Sequence, residues 1–195
     1  MKQATSKSIR TSDAPKADTA YDLWADAERS ARYHAERAGF FDAIHRTLNF
    51  IVFVTASSAA VSVATQWLST PAYNAVFMLL PAVIAAIEAA FGISTKARLH
   101  DSLRQRLFAL AGRIDRFEDS SHRIQEWHNE LYAALADEPP TVYYALNAAC
   151  YNAVAQVIGA PGVRYKKIPP WKLALRNIWP FHHADFPRMD RPSGS

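Results

Sequence analysis

The fold is decided by one long apolar stretch in the middle of the chain, residues 47–93, which reads TLNFIVFVTASSAAVSVATQWLSTPAYNAVFMLLPAVIAAIEAAFGI. Between Arg46 and Glu88 it contains no Lys, Arg, Asp or Glu. An uncharged run of about forty residues is roughly twice what one helix needs to cross the hydrocarbon of a bilayer. We therefore predict two membrane-spanning helices joined as a hairpin.

A turn signal divides the run at Ser69, Thr70 and Pro71. Proline lacks the amide hydrogen that would continue a helix, and it disfavours helical geometry in the residue before it. The predicted spans are therefore residues 47–68 and 72–93. The alternative is a buried hairpin inside a soluble helical bundle, but such helices normally keep a polar stripe, and these have only scattered polar residues.

The rest of the chain is polar, so the mean hydropathy of the whole sequence does not reveal this apolar stretch. The 195 residues permit one compact unit, with a mean hydropathy of −0.14 and a net charge of +4. That charge is too small to indicate nucleic-acid binding by itself. Residues 1–18 and 187–195 are predicted to be disordered tails, and the first of them lacks the apolar core of a cleaved signal.

The basic residues around the apolar stretch predict its orientation. Cytoplasmic flanks of membrane helices carry an excess of Lys and Arg, and the predicted turn has none. The flanking basic residues are Arg29, Arg32, Arg37 and Arg46 before the first span and Lys96, Arg98, Arg104 and Arg106 after the second. We therefore expect a protein of the cytoplasmic membrane with both termini in the cytoplasm.

Two amphipathic segments flank the spans. Residues 19–46 carry small and apolar residues every three or four positions, which predicts a helix that runs into the first span. Residues 96–136 carry a heptad seam, Leu103, Leu110, Phe117, Ile124 and Leu131, which predicts a coiled-coil helix about 60 Å long. Its partner is either the 19–46 helix or the same helix of another subunit.

A further uncharged segment, residues 141–158, follows the helix-ending sequence Glu138-Pro139-Pro140 and precedes Gly159. Its length and glycine cap predict a helix. We expect this helix to pack on the 96–136 helix. The alternative is a third membrane span, which would place the basic C-terminal segment outside, against the usual charge distribution.

Residues 96–181 are predicted to form a cytoplasmic helical region. This region ends in a basic segment that also carries two tryptophans. This composition suits an anionic lipid surface, and the alternative is a terminal helix docked on the bundle with a solvated basic face. The candidate lipid-contacting residues are Arg164, Lys166, Lys167, Trp171, Lys172, Arg176 and Trp179.

The sequence predicts no catalytic, cofactor or metal site. The seven histidines show no metal-ligand spacing with acidic residues, and Cys150 is the only cysteine. There is no glycine-rich phosphate loop and no dinucleotide-binding fingerprint. We therefore expect a protein that is not an enzyme.

Polar residues inside the predicted spans follow helical spacing. In the first span Thr55, Ser58, Ser62 and Thr65 share one face, and in the second Asn74, Pro81 and Glu88 repeat every seven residues. Such faces either allow close helix packing or line a wetted path between subunits. An ionisable Glu88 inside the membrane boundary favours contact with a partner, water or an ion, unless it reaches back to the interface.

The chain resembles the SLATT family of two-transmembrane effector domains, which are associated with prokaryotic nucleotide-signalling and conflict systems. The resemblance lies in the basic helix before a short hairpin, the long following helix and a terminal basic helix. Its motif residues are Trp127, Glu138, Pro139, Cys150, Asn152 and Gly159. The resemblance implies a pore-forming or membrane-disrupting antiviral effector governed by a sensor or nucleotide-generating partner protein.

Together these patterns predict an all-α homo-oligomer whose hairpins assemble in membrane lipid around an aqueous path. A signal from a partner protein would open that path through the cytoplasmic helices. The alternative is a membrane-anchored interaction module whose hairpin only tethers the cytoplasmic helices and does not conduct.

Overall fold

The described chain is helical throughout. The structure, a computed structural model, describes residues 20–57, 71–115, 121–158 and 168–186, with side chains for all of these except residues 56, 71–78, 121 and 122. Within these ranges there is no β-strand, so the predicted all-α class is confirmed. The helices are α1 (Ala20–Ala56), α2 (Pro71–Phe91), α3 (Ile93–Ile114), α4 (Ser121–Ala136), α5 (Tyr144–Ile158) and α6 (Pro170–Ala174), followed by a 3-10 turn at His183–Asp185.

Helix α1 is one continuous element that joins the predicted 19–46 helix to the start of the predicted first span. Its N-terminal half is the centre of the bundle, because Leu23, Ala27 and Ala31 are fully buried. Small alanines at this spacing let a neighbouring helix approach closely, and α3 lies along this face. The structure thus places the partner of the α3 seam in the same chain.

Helix α2 ends at Phe91, and Gly92 breaks the helix that the sequence predicts to continue to residue 93. Gly92 has a φ of 57°, the left-handed conformation that glycine adopts without the steric cost of a Cβ atom. The chain then turns by 42° into α3. The Glu88 Oε1 atom accepts a hydrogen bond of 2.8 Å from the Ser94 amide, one of the amides at the start of α3 that have no partner within the helix.

Among the described residues, no helix is by itself both long and apolar enough to cross a bilayer. The bent pair formed by residues 79–91 of α2 and by α3 meets that criterion together, by length and composition. The predicted turn at Ser69 and Thr70, and residues 58–68 of the predicted first span, lie outside the described ranges. The described parts of the two predicted arms, α1 and α2, pack against each other.

The predicted single helix from 96 to 136 is wrong. Arg106 Nη1 lies 2.6 Å from Asp137 Oδ2, although residues 31 positions apart on one straight helix would be about 46 Å apart. Arg113 likewise pairs with Glu130. The chain therefore reverses after Ile114, and α4 folds back along α3.

This reversal buries the predicted seam inside one chain. Leu107 and Leu110 of α3 pack with Trp127 and Leu131 of α4 in the main hydrophobic core, and α1 contributes Leu23 to the same core. Folding back removes apolar area from water without a second subunit, which is the physical reason why a long exposed coiled coil does not form.

Helix α5 packs on α1 rather than on the 96–136 region as predicted. Its residues Leu146 and Cys150 are buried against Tyr33 of α1. On its other side, Ala145 and Ala148 form a small core with two aromatic residues of the C-terminal segment, Phe181 and Phe186. Helix α5 thus lies between α1 and the end of the chain.

Candidate functional site

The most deeply buried polar group is the imidazole of His34, which is fully buried on α1. Its Nδ1 atom lies 2.8 Å from Nδ1 of His100 on α3, and its Nε2 atom lies 2.6 Å from Oε1 of Glu138, just beyond α4. Since a hydrogen bond shares a single proton, only one of the two Nδ1 atoms carries a hydrogen. The three side chains therefore form one buried chain of hydrogen bonds across three parts of the fold.

His100 is neutral at ordinary pH. Burial lowers the pKa of His100 to about 4, and the nearby positive charges of Arg37 and Lys96 act in the same direction. A positive charge on His100 is therefore excluded at neutral pH. The Oε1 atom of Glu138 accepts the hydrogen bond from Nε2 of His34.

Next to these hydrogen-bonded side chains lies Arg37, whose guanidinium is buried, with 4% of the residue exposed. Its Cζ atom lies 3.8 Å from the ring centroid of Tyr143 and 4.6 Å from that of Phe41. Its Nη1 atom donates a 2.6 Å hydrogen bond to the backbone oxygen of Asn177. Arg37 thus joins α1 to the C-terminal segment through stacking and one charge-assisted hydrogen bond.

Tyr33 completes the network on the side of α5. Its hydroxyl oxygen accepts a 3.2 Å hydrogen bond from the backbone amide of Tyr143, and burial raises the pKa of the Tyr33 phenol. The phenol is therefore neutral over the physiological range. Side chains of α1 consequently contact α3, the segment before α5 and the segment after α6.

These residues surround a cavity of about 650 Å³ between the helices. Its wall is mixed: aromatic rings from α1 and the segment before α5 face basic groups, with Glu138 as its carboxylate. The basic groups in the wall are Arg29, Arg37 and Lys96, beside His34 and His100. A cavity of this size and composition fits a small anionic molecule.

The family-motif residues fall in three places. Trp127 is in the main core, Glu138 and Pro139 line the cavity, and Cys150 is buried behind Tyr33. Burial raises the pKa of Cys150 to about 12, so its thiol is protonated and unreactive at neutral pH. Asn152 is half-buried on α5, and Gly159 lies outside the described ranges.

The structure brings together few of the predicted pore residues. Thr55 is buried, and its hydroxyl donates a 2.7 Å hydrogen bond to the Ile51 carbonyl of the same helix. Glu88 faces His45, whose Nδ1 atom is 3.5 Å from Glu88 Oε1. Pro81 is half-buried in α2, Asn74 is placed on α2 by its backbone only, and Ser58, Ser62 and Thr65 lie outside the described ranges.

The predicted lipid-contacting residues are divided between two roles. Lys172 pairs with Asp185 at 3.1 Å inside the C-terminal segment, whereas Arg176 pairs with Glu36 of α1 at 2.8 Å and so holds that segment to the bundle. Trp171 and Trp179 are exposed by 58% and 62%. The remaining predicted residues, Arg164, Lys166 and Lys167, lie outside the described ranges.

The pairing of His34 with His100 is not predicted by the sequence. The two residues are 66 positions apart on different helices, so no local spacing could relate them. The available signal was weaker: His34 lies three residues after Ala31, on the apolar face of α1, and His100 lies three before Leu103 on the α3 seam. A histidine on an apolar face needs a hydrogen-bond partner once it is buried.

Comparison with known proteins adds no relative to these observations: no protein-family model, curated protein or solved structure matches the chain.

Proposed function

We propose that this protein is a two-pass membrane protein that oligomerises through its hairpin and permeabilises the membrane. Its cytoplasmic bundle would control that activity in response to a partner protein. The sequence resemblance to SLATT effectors supports this proposal, in which the chain acts by conduction or membrane disruption rather than by chemistry on a substrate.

The observation that carries the proposal is the surface of the helical arms near the predicted membrane. Phe50 and Phe53 of α1 are exposed by 67% and 74%, and large apolar residues of α2 are exposed as well. Contiguous apolar surface of this kind marks a contact with lipid or with other protein chains. The exposed residues of α2 are Leu79, Val83, Ile87 and Phe91.

The junction between hairpin and bundle supports a mechanical connection. Helix α1 passes without a break from the buried core into the exposed apolar region. On the other arm, Gly92 and the hydrogen bond from the Ser94 amide to Glu88 set the angle between α2 and α3. A displacement of the bundle would therefore be transmitted rigidly along α1 and would change the bend at Gly92.

Leakage of dye from liposomes tests the proposal directly. We expect purified full-length protein to release an encapsulated dye, and we expect Ser62→Leu to abolish release because it places an apolar side chain on the predicted hydroxylated face. Ser57→Leu is the matched control, since position 57 is about 140° around a continuing helix from position 62. Tight liposomes at saturating protein would contradict the proposal.

Glu88 distinguishes a charge in the path from a structural bond. Glu88→Ala removes both the charge and the acceptor for the Ser94 amide, whereas Glu88→Gln keeps an acceptor and removes only the charge. If the charge matters for conduction, both variants lose leakage. If only the junction matters, Glu88→Gln retains most of it.

A second candidate function is a membrane-anchored interaction module without a pore. It is favoured by Thr55, a member of the predicted polar face whose hydroxyl is buried and donates its hydrogen to its own helix backbone. In this case the wild-type protein stays in carbonate-washed membranes but leaves liposomes tight.

A further inference from the structure

The cavity beside His34 is lined by a buried cation, Arg37, which forms no ion pair with any described residue. Arg37 is 4% exposed, and no carboxylate lies within ion-pair distance of it among the described residues. Its Nε atom and the side-chain oxygen of Asn177 are both buried, and neither has a hydrogen-bond partner within the described ranges. Burying a charge or a polar atom without compensation is costly, so this corner of the cavity is chemically incomplete.

A second cation stands at the same cavity. Lys96 is exposed and has no ion pair in the described part of the chain, and its Nζ atom lies 6.0 Å from the ring centroid of Phe41. Arg37 lies over the same ring, at 4.6 Å. A buried cation and an exposed cation thus both lie within 6.0 Å of the centre of one ring in the cavity wall.

The unpaired groups define the ligand that would complete them. A guanidinium and an ammonium together favour the several oxygens of a phosphate group. The Asn177 side-chain oxygen is an acceptor, which needs a donor such as a hydroxyl. We propose that this cavity binds the phosphate ester of a polyol, with the phosphate between Arg37 and Lys96 and a hydroxyl on Asn177.

Both a lipid headgroup and a soluble molecule can supply this chemistry. Lys96 follows the predicted end of the second span by three residues, or about 5 Å of helix, and Arg37 precedes the predicted start of the first span by ten residues, or about 15 Å. The cavity therefore extends from headgroup depth into the cytoplasmic bundle. Neither source requires the hairpin to conduct, so this inference is independent of the proposed pore.

Binding is tested on the full-length protein with two probes. Glycerol 3-phosphate is titrated calorimetrically into detergent-solubilised protein, and thermal unfolding is compared in nanodiscs of phosphatidylglycerol and of phosphatidylcholine. Binding of glycerol 3-phosphate identifies a soluble ligand. Stabilisation by phosphatidylglycerol alone identifies a headgroup. No effect of either probe overturns the proposal.

Matched variants locate the site. We expect Lys96→Gln to weaken binding about tenfold, because one charge-assisted contact is lost. Arg98→Gln removes the same charge from the same helix outside the cavity and should leave affinity unchanged. Equal losses in the two variants would indicate a general charge effect and would overturn the proposal.

Arg37→Lys examines the buried cation while keeping its charge. We expect it to lose affinity by about tenfold or more, since lysine cannot reproduce the guanidinium fork. Circular dichroism establishes that the variant keeps its helical content. A folded Arg37→Lys protein that binds like the wild type would show that Arg37 is not part of the site.

Discussion

The two halves of α1 differ in where their apolar residues point, although no break separates them. In the N-terminal half, which is rich in charged residues, Leu23, Ala27 and Ala31 are buried by α3 and α4. In the C-terminal half, which carries no charged residue after Arg46, Phe50 and Phe53 are mostly exposed. The first half of this continuous helix therefore buries its apolar side chains inside the protein. The second half leaves its large apolar side chains exposed unless lipid or another protein chain covers them.

The two halves of α1 are therefore stabilised by different kinds of contact. The first half is held by contacts inside the chain, and its polar groups at the core are satisfied by partners such as His100 and Glu138. The second half makes fewer such contacts, and its large side chains depend on lipid or on neighbouring subunits under the proposed function. Substitutions should therefore act differently in the two halves.

The largest effect is expected from charges placed on the exposed apolar surface. Arginine at a membrane-helix centre costs about 2.5–3.5 kcal/mol, so Phe53→Arg combined with Val83→Arg should prevent stable insertion. The measurement is the fraction of protein retained in carbonate-washed membranes. Phe108→Arg, at a partly exposed position on α3, is the control and should be retained. Full retention of the double variant would show that this surface does not face lipid.

The next effect compares the same substitution in the two regions. Leu107→Ala opens a cavity in the main core and should lower the free energy of unfolding by about 2–5 kcal/mol. Leu79→Ala, on the exposed face of α2, should cost much less, because little packing is lost. Denaturant unfolding of both variants in detergent gives the comparison, and similar losses would mean that Leu79 is packed in the native assembly.

A smaller effect concerns pH and only the bundle. His100 has a pKa of about 4 in the folded state and 6.5 ordinarily, so the unfolded chain binds more protons between these values. Stability from neutral His100 is complete above pH 6.5 and falls as the pH drops towards 4, by up to about 3 kcal/mol. The other charged and titratable groups facing His100 are His34, Arg37 and Lys96, with Glu138 on the far side of His34.

Thermal unfolding from pH 7 to pH 4 measures this dependence. The control is His100→Gln, which removes the titrating imidazole and keeps a hydrogen-bonding side chain beside His34. Its unfolding temperature should change less over the same range. A slope identical to that of the wild type would show that other groups cause the loss.

Local patterns predicted several helices of the fold, although not the break between α3 and α4. Periodic apolar residues predicted the helix at 19–46 and its continuation, and the proline pair with its following uncharged segment predicted α5. Short-range signals suffice there, because helix formation depends on neighbours within four residues. The break at Gly92 was missed because a single glycine is tolerated within a helix and its φ cannot be inferred from its neighbours.

The candidate site was much less accessible from the sequence. Glu138 was selected only as a family-motif residue, and His34 and His100 were dismissed because they lack metal-ligand spacing. Their network joins residues 104 positions apart at the extremes. Such contacts arise only when helices pack, so no window along the chain contains them.

The sequence by itself determined that this chain is helical and that its apolar residues are concentrated in one central stretch, because hydrophobic periodicity and charge distribution are local properties of the chain. Only the tertiary structure decided that α4 folds back on α3, that α1 buries the α3 seam, and that two histidines, a glutamate and an unpaired arginine meet around one cavity. The physical reason is that an apolar helix face can be buried against any of several other helices. Which helix packs there depends on how well surfaces distant in the sequence fit together.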